Sequence, residues 1–221
     1  MNDAGVKRLY SAAALVAIIA ASSAVFIKAR QYFERVEYPV YRVDEIKADT
    51  SGFAWKGNVR ATRSAVVYTD IECTQYRSFR RLMDTLTAAR GDEWKVYYKL
   101  RPLFKGRLMH LRTYAAYAAQ VQGKFFEMLG LLQDILMPRQ RGGDIDKVKS
   151  QIDSCAHSLQ LDMEQFKRDM NSAIIEKKAE DVIAETEKYG IITFPCLLIK
   201  GHLVRGLVPS REVLFLADKS R

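Results

Sequence analysis

One short stretch limits what this chain can fold into. Ala65-Val66-Val67-Tyr68 is an apolar, β-prone run of strand length. A turn follows over Asp70–Thr74. From Gln75 to about Arg90, Phe79, Leu82, Met83 and Leu86 recur at helical spacing, and Gly91 stands where the helix should stop. Lys95–Leu100 then reads as a second strand, ended by Pro102. This is a β-α-β unit. A second unit closes the chain: strand Cys196–Ile199, a tight turn at Lys200-Gly201, a returning strand His202–Arg205, and a helix Arg211–Asp218 capped by Ser210.

The residues between the two units read as helices. Leu108, Leu111, Ala115, Ala118 and Val121 form an amphipathic stripe, and Lys124–Leu136 continues as helix until Pro138. Asp144 is a good N-cap for a helix whose stripe is Ile145, Val148, Ile152, Cys155 and Leu159. Asp162 with Gln165 resembles a capping arrangement for a short helix containing Phe166. A last helix of this block runs from about Ser172 to Tyr189, with Gly190 as its stop. The expected fold class is therefore α/β: one sheet flanked by helices, with a helical block inserted between two strand-bearing units. Gln31–Ala61 carries little pattern and reads as a linker and entry region.

Ahead of this domain, Leu9–Ile27 is a run of 19 residues without charge, flanked by Lys7 and Arg8 on one side and by Lys28 and Arg30 on the other. Nineteen residues can just cross a bilayer as a helix, though Ser11, Ser22, Ser23 and many alanines make this run only moderately hydrophobic. A cleaved signal peptide and an uncleaved signal anchor both fit. Val25, Phe26 and Ile27 carry the apolar run past the small residues Ser22 and Ala24 where a cut would fall, which favours the anchor. Basic residues on both flanks leave the orientation undecided by charge.

Lys and Arg number 35 against 26 Asp and Glu, a net charge of +9. Seven basic residues and no acidic one lie between Trp94 and Phe126: Lys95, Lys99, Arg101, Lys105, Arg107, Arg112 and Lys124. This cluster reads either as a solvated basic surface or as a site attracting anionic lipid or an acidic partner. No nucleic-acid-binding motif accompanies the charge, so nucleic acid is not an expected partner.

The three cysteines, Cys73, Cys155 and Cys196, are too few for a disulfide scaffold. With His110, His157 and His202 they make no ligand pattern, so no metal and no cofactor is expected. Cys155 lies on an apolar helical stripe and reads as core. Cys73 sits where a strand ends and a helix begins. Backbone N–H groups and the positive end of a helix dipole stabilise a thiolate there, and a thiolate is the attacking species in disulfide exchange. Arg77, nearby in the helix that follows, adds positive charge. A cysteine at such a turn is equally often structural.

Several motifs then bear on Cys73 together. Val66-Val-Tyr-Thr-Asp-Ile-Glu-Cys-Thr-Gln-Tyr-Arg-Ser-Phe79 resembles the active-site segment of the DsbA-like thioredoxin-fold family, in which an apolar strand leads into Asp, then C-P-x-C and a helix. Gly57-Asn58 lies upstream, where that family often has such a pair. Gln122-Gly-Lys-Phe-Phe-Glu-Met128, preceded by His110 and the Ala115–Ala119 run, is similar to the family's Q-G-K-F-W-x-M stretch. Ala156-His-Ser-Leu-Gln-Leu-Asp162 resembles A-x-x-L-G-L-D, and Gly190-Ile-Ile-Thr-Phe-Pro-Cys-Leu197 resembles G-V-x-G-T-P-T-F. Gly201 and Gly206 match glycines of the closing hairpin. The resemblance runs in order over about residues 57–217.

It implies a thioredoxin-like fold with an inserted helical block at about 107–189, in a domain over 57–221. A tail (1–8), a transmembrane signal anchor (9–27) and a linker (28–56) precede it. It implies a cis bond at Phe194–Pro195 facing Cys73, with Phe194, Pro195 and Tyr76 bordering the substrate. It also implies a bacterial, single-pass membrane protein with its domain in the periplasm or another extracytoplasmic space. Protein clients or a membrane protein complex are the expected partners.

The departures bear equally on function. Tyr76 stands in the second cysteine's place, Thr74 replaces the proline, and Phe194 replaces the threonine usual before the cis proline. Such a chain cannot store a C-x-x-C disulfide. Cys196 reads either as a small apolar residue of a central strand or as a resolving thiol that meets Cys73 across the fold. Tyr76 reads as a plug over the lost thiol site, or as a hydroxyl donor to Cys73. Two functions follow: a monothiol exchange protein acting through Cys73, or a redox-silent binding module or accessory subunit of a membrane complex.

Overall fold

Six strands form one mixed sheet in the order β1-β6-β5-β3-β4-β2. They are β1 (Val40–Arg42), β2 (Ala54–Gly57), β3 (Arg63–Thr69), β4 (Trp94–Leu100), β5 (Cys196–Ile199) and β6 (His202–Arg205). Seven helices join them: α1 (Tyr76–Arg90), α2 (Arg107–Val121), α3 (Phe125–Asp134), α4 (Ile145–Ser158), α5 (Met163–Met170), α6 (Ala173–Lys188) and α7 (Ser210–Asp218). These elements come from a computed structural model that describes residues 40–102, 107–135 and 145–218. The expected tail and span at 1–27, and the Asp144 cap, lie outside the described residues. Among the described residues no helix is long and apolar enough to cross a membrane.

The β3-α1-β4 unit makes the sheet's one parallel pair, with Tyr68 in register with Lys99. β5 runs antiparallel to β3, and β6 antiparallel to β5. Two strands occupy the stretch read as linker and entry region. β1 pairs with β6, and β2 pairs with β4, so they form the two edges. Their three and four residues are too short for a period-two pattern to show, and their backbone bonds come from strands far along the chain. Gly57 ends β2 with φ of +109°. A Cβ there would lie 2.1 Å from the Trp94 carbonyl oxygen, so only glycine permits this approach.

Alternation along the strands sends neighbouring residues to opposite faces. Tyr98 and Val67 face α1, which buries Tyr76, Phe79, Leu82, Met83 and Leu86. α7 packs beside α1 and buries Val213, Leu216 and Ala217. On that outer side Asp218 accepts from Arg90 Nε and Nη2 at 2.9 and 3.0 Å. Lys99 and Tyr68 face the inserted helices, where Glu185 of α6 accepts from both. The Lys99 side chain is only 1% exposed. A buried ammonium is tolerable only when paired in this way, and losing its partner would cost several kcal/mol.

The helical block is tied to the sheet at the end of β4. Tyr117 of α2 accepts from the Leu100 N–H at 2.8 Å and donates to the Leu100 carbonyl at 3.1 Å. Two stretches that look separate in sequence meet here as well. Gln122 donates to the Asp162 carbonyl at 3.1 Å and accepts from the Asp162 N–H at 2.8 Å. Asp162 also caps α5 by accepting from Gln165 N–H, and Ser172 caps α6 by accepting from Ile175 N–H. At the foot of the block, Lys178 donates to the Gly52 carbonyl and lies 4.8 and 4.6 Å from the Phe53 and Tyr117 ring centres. Burial pulls its pKa down to about 8.

The basic residues from Lys95 to Lys124 do not form one field of free cations. Lys99 is buried, Arg112 pairs with Glu72, and Lys124 pairs with Glu127. Lys105 lies outside the described residues.

Candidate functional site

Cys73 occupies the turn between β3 and α1, three residues before the helix begins. The turn is closed by backbone bonds from Cys73 N–H to the Asp70 carbonyl at 3.1 Å and from Tyr76 N–H to the Cys73 carbonyl at 3.0 Å. Asp70 is buried and accepts from the Glu72 N–H at 3.3 Å. Gln75 caps α1 without a side-chain hydrogen bond.

Facing the turn is the loop before β5. Its Phe194–Pro195 bond is cis, as the resemblance implies. Cys73 Sγ lies 3.6 Å from the Phe194 carbonyl, to which the thiol donates. Pro195 is itself buried, and its carbonyl accepts from the Gly206 N–H at 2.8 Å. This bond draws the closing hairpin up to the start of α1, where Gln75 comes close to Gly206. Ile192 (80% exposed) and Leu207 (45%) leave an apolar rim on the two loops.

The electrostatics correct one expectation. The thiol of Cys73 is not pulled toward the thiolate. Burial pushes it above its ordinary value, and the Asp70 carboxylate pushes the same way; the N–H groups of Gln75 and Tyr76 pull down without prevailing. Arg77 does not help, because its guanidinium turns away to Asp134 Oδ1 at 2.6 Å and the Gln133 carbonyl. The helix-start effect is present, as the two amide contacts show, but desolvation outweighs it.

Tyr76 is 1% exposed and packs under α1 instead of bordering the substrate surface. Its hydroxyl is buried with no hydrogen-bond partner among the described residues, so the expected donation to Cys73 is absent. The plug reading matches this placement.

Cys196 lies in β5 opposite Tyr68 and Arg205, fully buried. Burial pushes its thiol up to about 12. All three cysteines are free thiols, and Cys73 meets a carbonyl of the cis loop, not the Cys196 sulfur. Cys155 is buried on α4, as expected for core. His110 contacts Tyr114 within α2 and does not enter the site. Among the described residues no group of three or more His, Cys, Asp or Glu side chains is placed to hold a metal ion.

Two residues near the site escaped the sequence reading. Arg112 of α2 holds Glu72, next to Cys73, at 2.8 Å. Arg101, at the end of β4, lies 5.3 Å from the Phe194 ring centre. Both belonged to the basic cluster, and nothing local distinguishes them from its other members.

A thioredoxin family model matches residues 49–215. A thioredoxin-like oxidoreductase from Silicibacter pomeroyi superposes with a TM-score of 0.62 at 22% identity, covering 76% of this chain and 91% of that one. The thiol-disulfide exchange protein alpha-DsbA2 from Wolbachia pipientis superposes with a TM-score of 0.64 at 16% identity, covering 76% and 87%. At these identities the likeness is one of fold. A curated sodium/proton antiporter, NhaA of Herminiimonas arsenicoxydans, is 26% identical over 166 residues, which are 75% of this chain. The chain spans a quarter of that relative's length.

Proposed function

The chain belongs to the thioredoxin family, and on that premise we propose that it is a DsbA-like, single-thiol disulfide-exchange protein acting through Cys73. The observation that carries this reading is the contrast in access. Cys73 is half-exposed at the start of α1 beside the cis-proline loop, while Cys155 and Cys196 are buried.

The exchange balances without an external oxidant. Cys73 loses its proton to solvent, and its thiolate attacks one sulfur of a client disulfide. A Cys73–client disulfide forms and the client's other sulfur leaves as thiolate. A second thiolate, from the client or a small thiol, then attacks the client sulfur and returns Cys73 as thiolate. The net result is an exchanged disulfide. Net oxidation of a dithiol takes two electrons, which a second sulfur at position 76 would be needed to hold. The raised thiol sets the pace: the first step is slow at neutral pH and quickens as pH rises.

A second reading is favoured by that same raised thiol and by the buried Tyr76. It is a redox-silent thioredoxin-fold module serving as accessory subunit of a membrane complex. The similarity to part of an antiporter supports this side. Both readings place Leu9–Ile27 across a membrane, supported by the length of that apolar run, and the domain outside the cytoplasm, supported by the DsbA-like resemblance and by the likeness in fold to a periplasmic thioredoxin-like protein.

Trapping separates the two. In cells expressing the full chain, non-reducing gels after acid quench should show mixed disulfides that vanish in Cys73→Ser. Absence of any such species, with deletion of the chain still causing a defect that Cys73→Ser rescues, would establish the silent module. A phosphatase fused after Arg221 should be active; an inactive but stable fusion would sink the extracytoplasmic placement.

A further inference from the structure

Phe194 has one neighbour at its carbonyl and another at its ring. Its carbonyl accepts from Cys73 Sγ at 3.6 Å. Its ring lies under the Arg101 guanidinium, 5.3 Å from ring centre to guanidinium carbon. This is within the range in which a guanidinium is attracted to an aromatic face. Arg101 is itself held from several directions. Its backbone N–H donates to the Thr69 carbonyl at 2.7 Å. Its Nε donates to Thr186 Oγ1 at 3.1 Å, and Nη2 lies 3.7 Å from the Glu187 carboxylate. One residue thus joins the ends of β3, β4 and α6 to the ring before Pro195. The Arg101 side chain is 17% exposed, so these contacts are poorly screened.

A carbonyl oxygen beside a sulfur discriminates between its two forms. It accepts a hydrogen bond from S–H and offers only lone-pair repulsion to S⁻. We propose that Arg101 is a positioning residue for Cys73: by stacking on Phe194 it keeps the Phe194 carbonyl against Sγ and holds the thiol protonated. The other charges around Cys73 are accounted for. Asp70 opposes the thiolate, and Glu72 is engaged by Arg112 of α2. Arg77 of α1 is engaged by Asp134 of α3, and Glu187 of α6 faces Arg101.

The proposal deepens the exchange reading and rests on it for its functional meaning, but its test reads geometry. The pH profile of Cys73 alkylation by iodoacetamide, followed at peptide level in the full chain, should move to lower pH in Arg101→Ala. The rate at pH 7 should rise about 3- to 10-fold, a midpoint shift of roughly half to one unit. Phe194→Ala should do the same, and the double variant should gain no more than either alone, because both cut one connection. Arg101→Lys should behave like the alanine variant, since an ammonium lacks the planar stacking face. Phe194→Tyr, which keeps the ring, should leave the profile in place. An unmoved profile in Arg101→Ala with an unchanged melting temperature overturns the proposal. So does additivity in the double variant. Should Arg101→Ala fail to fold, the Phe194 pair decides: equal profiles for Phe194→Ala and Phe194→Tyr overturn it. A failure here with mixed disulfides still trapped leaves the exchange reading standing; loss of trapped species with the shifts intact removes exchange alone.

Discussion

Cys73 and Cys196 are two free thiols that report on two regions, the rim of the sheet and its centre. Cys73 lies in the turn after β3, half-exposed, its sulfur 3.6 Å from the Phe194 carbonyl of the cis-proline loop. Cys196 begins β5 between Tyr68 and Arg205, with strands on both sides and helices over the face. Burial raises both, but Cys196 far more. Access to a thiol in this structure is thus set by where a strand stops. One residue type, moved from beyond a strand end into a ladder, turns from half-exposed to fully buried.

The largest expected effect breaks this comparison directly. In the native protein Cys73 should react with iodoacetamide on the order of 10³-fold faster than Cys196, whose exposure requires the sheet to open at a cost of several kcal/mol. Peptide mapping by mass spectrometry measures both. Comparable rates would mean that β5 opens locally and that Cys196 can serve as a resolving thiol.

Alkaline titration gives the next effect. The folded Cys196 thiol holds its proton to about 12, while the unfolded one releases it near the ordinary value of 9.0. Between these values the folded state binds more protons, so stability is fully present below about pH 9 and falls as pH rises. Cys196→Ala should flatten the loss measured by urea unfolding from pH 9 to 11 by on the order of 1–3 kcal/mol. Cys73→Ala should flatten it less, because burial raises that thiol less. Equal slopes for the two variants would contradict the assignment of rim and centre.

The smallest effect concerns Tyr76. Its orphaned hydroxyl carries a desolvation cost of about 1 kcal/mol without a compensating bond. Tyr76→Phe should be neutral or stabilising by up to about that amount. A loss above 1 kcal/mol in urea titrations would show that the hydroxyl has found a partner.

Much of the fold was legible because it is encoded locally. The stripe of α1, the Asp162 and Ser172 caps and the hairpin turn each depend on residues within a few positions, and all recur in the structure. The stripe read in α2 does not: that helix is buried on nearly every side from Leu111 to Ala119, while Val121, and Ile145 of the α4 stripe, stand exposed. The cis bond at Pro195 was legible only through the family motif. β1 and β2 were not legible, because an edge strand of three or four residues takes its shape from its neighbour across the sheet.

The sequence by itself determined the order of elements, the position of Cys73 at a strand-to-helix turn and the absence of a second sulfur at position 76. The tertiary structure alone decided the state of that thiol. The helix start that favours a thiolate lies within three residues of Cys73. What opposes it is burial and the Asp70 carboxylate, in a site covered by a loop whose carbonyl comes from a residue 121 positions away. Local periodicity carries backbone shape. Desolvation and charge depend on which distant groups are brought within a few ångströms, and only the packed chain sets that.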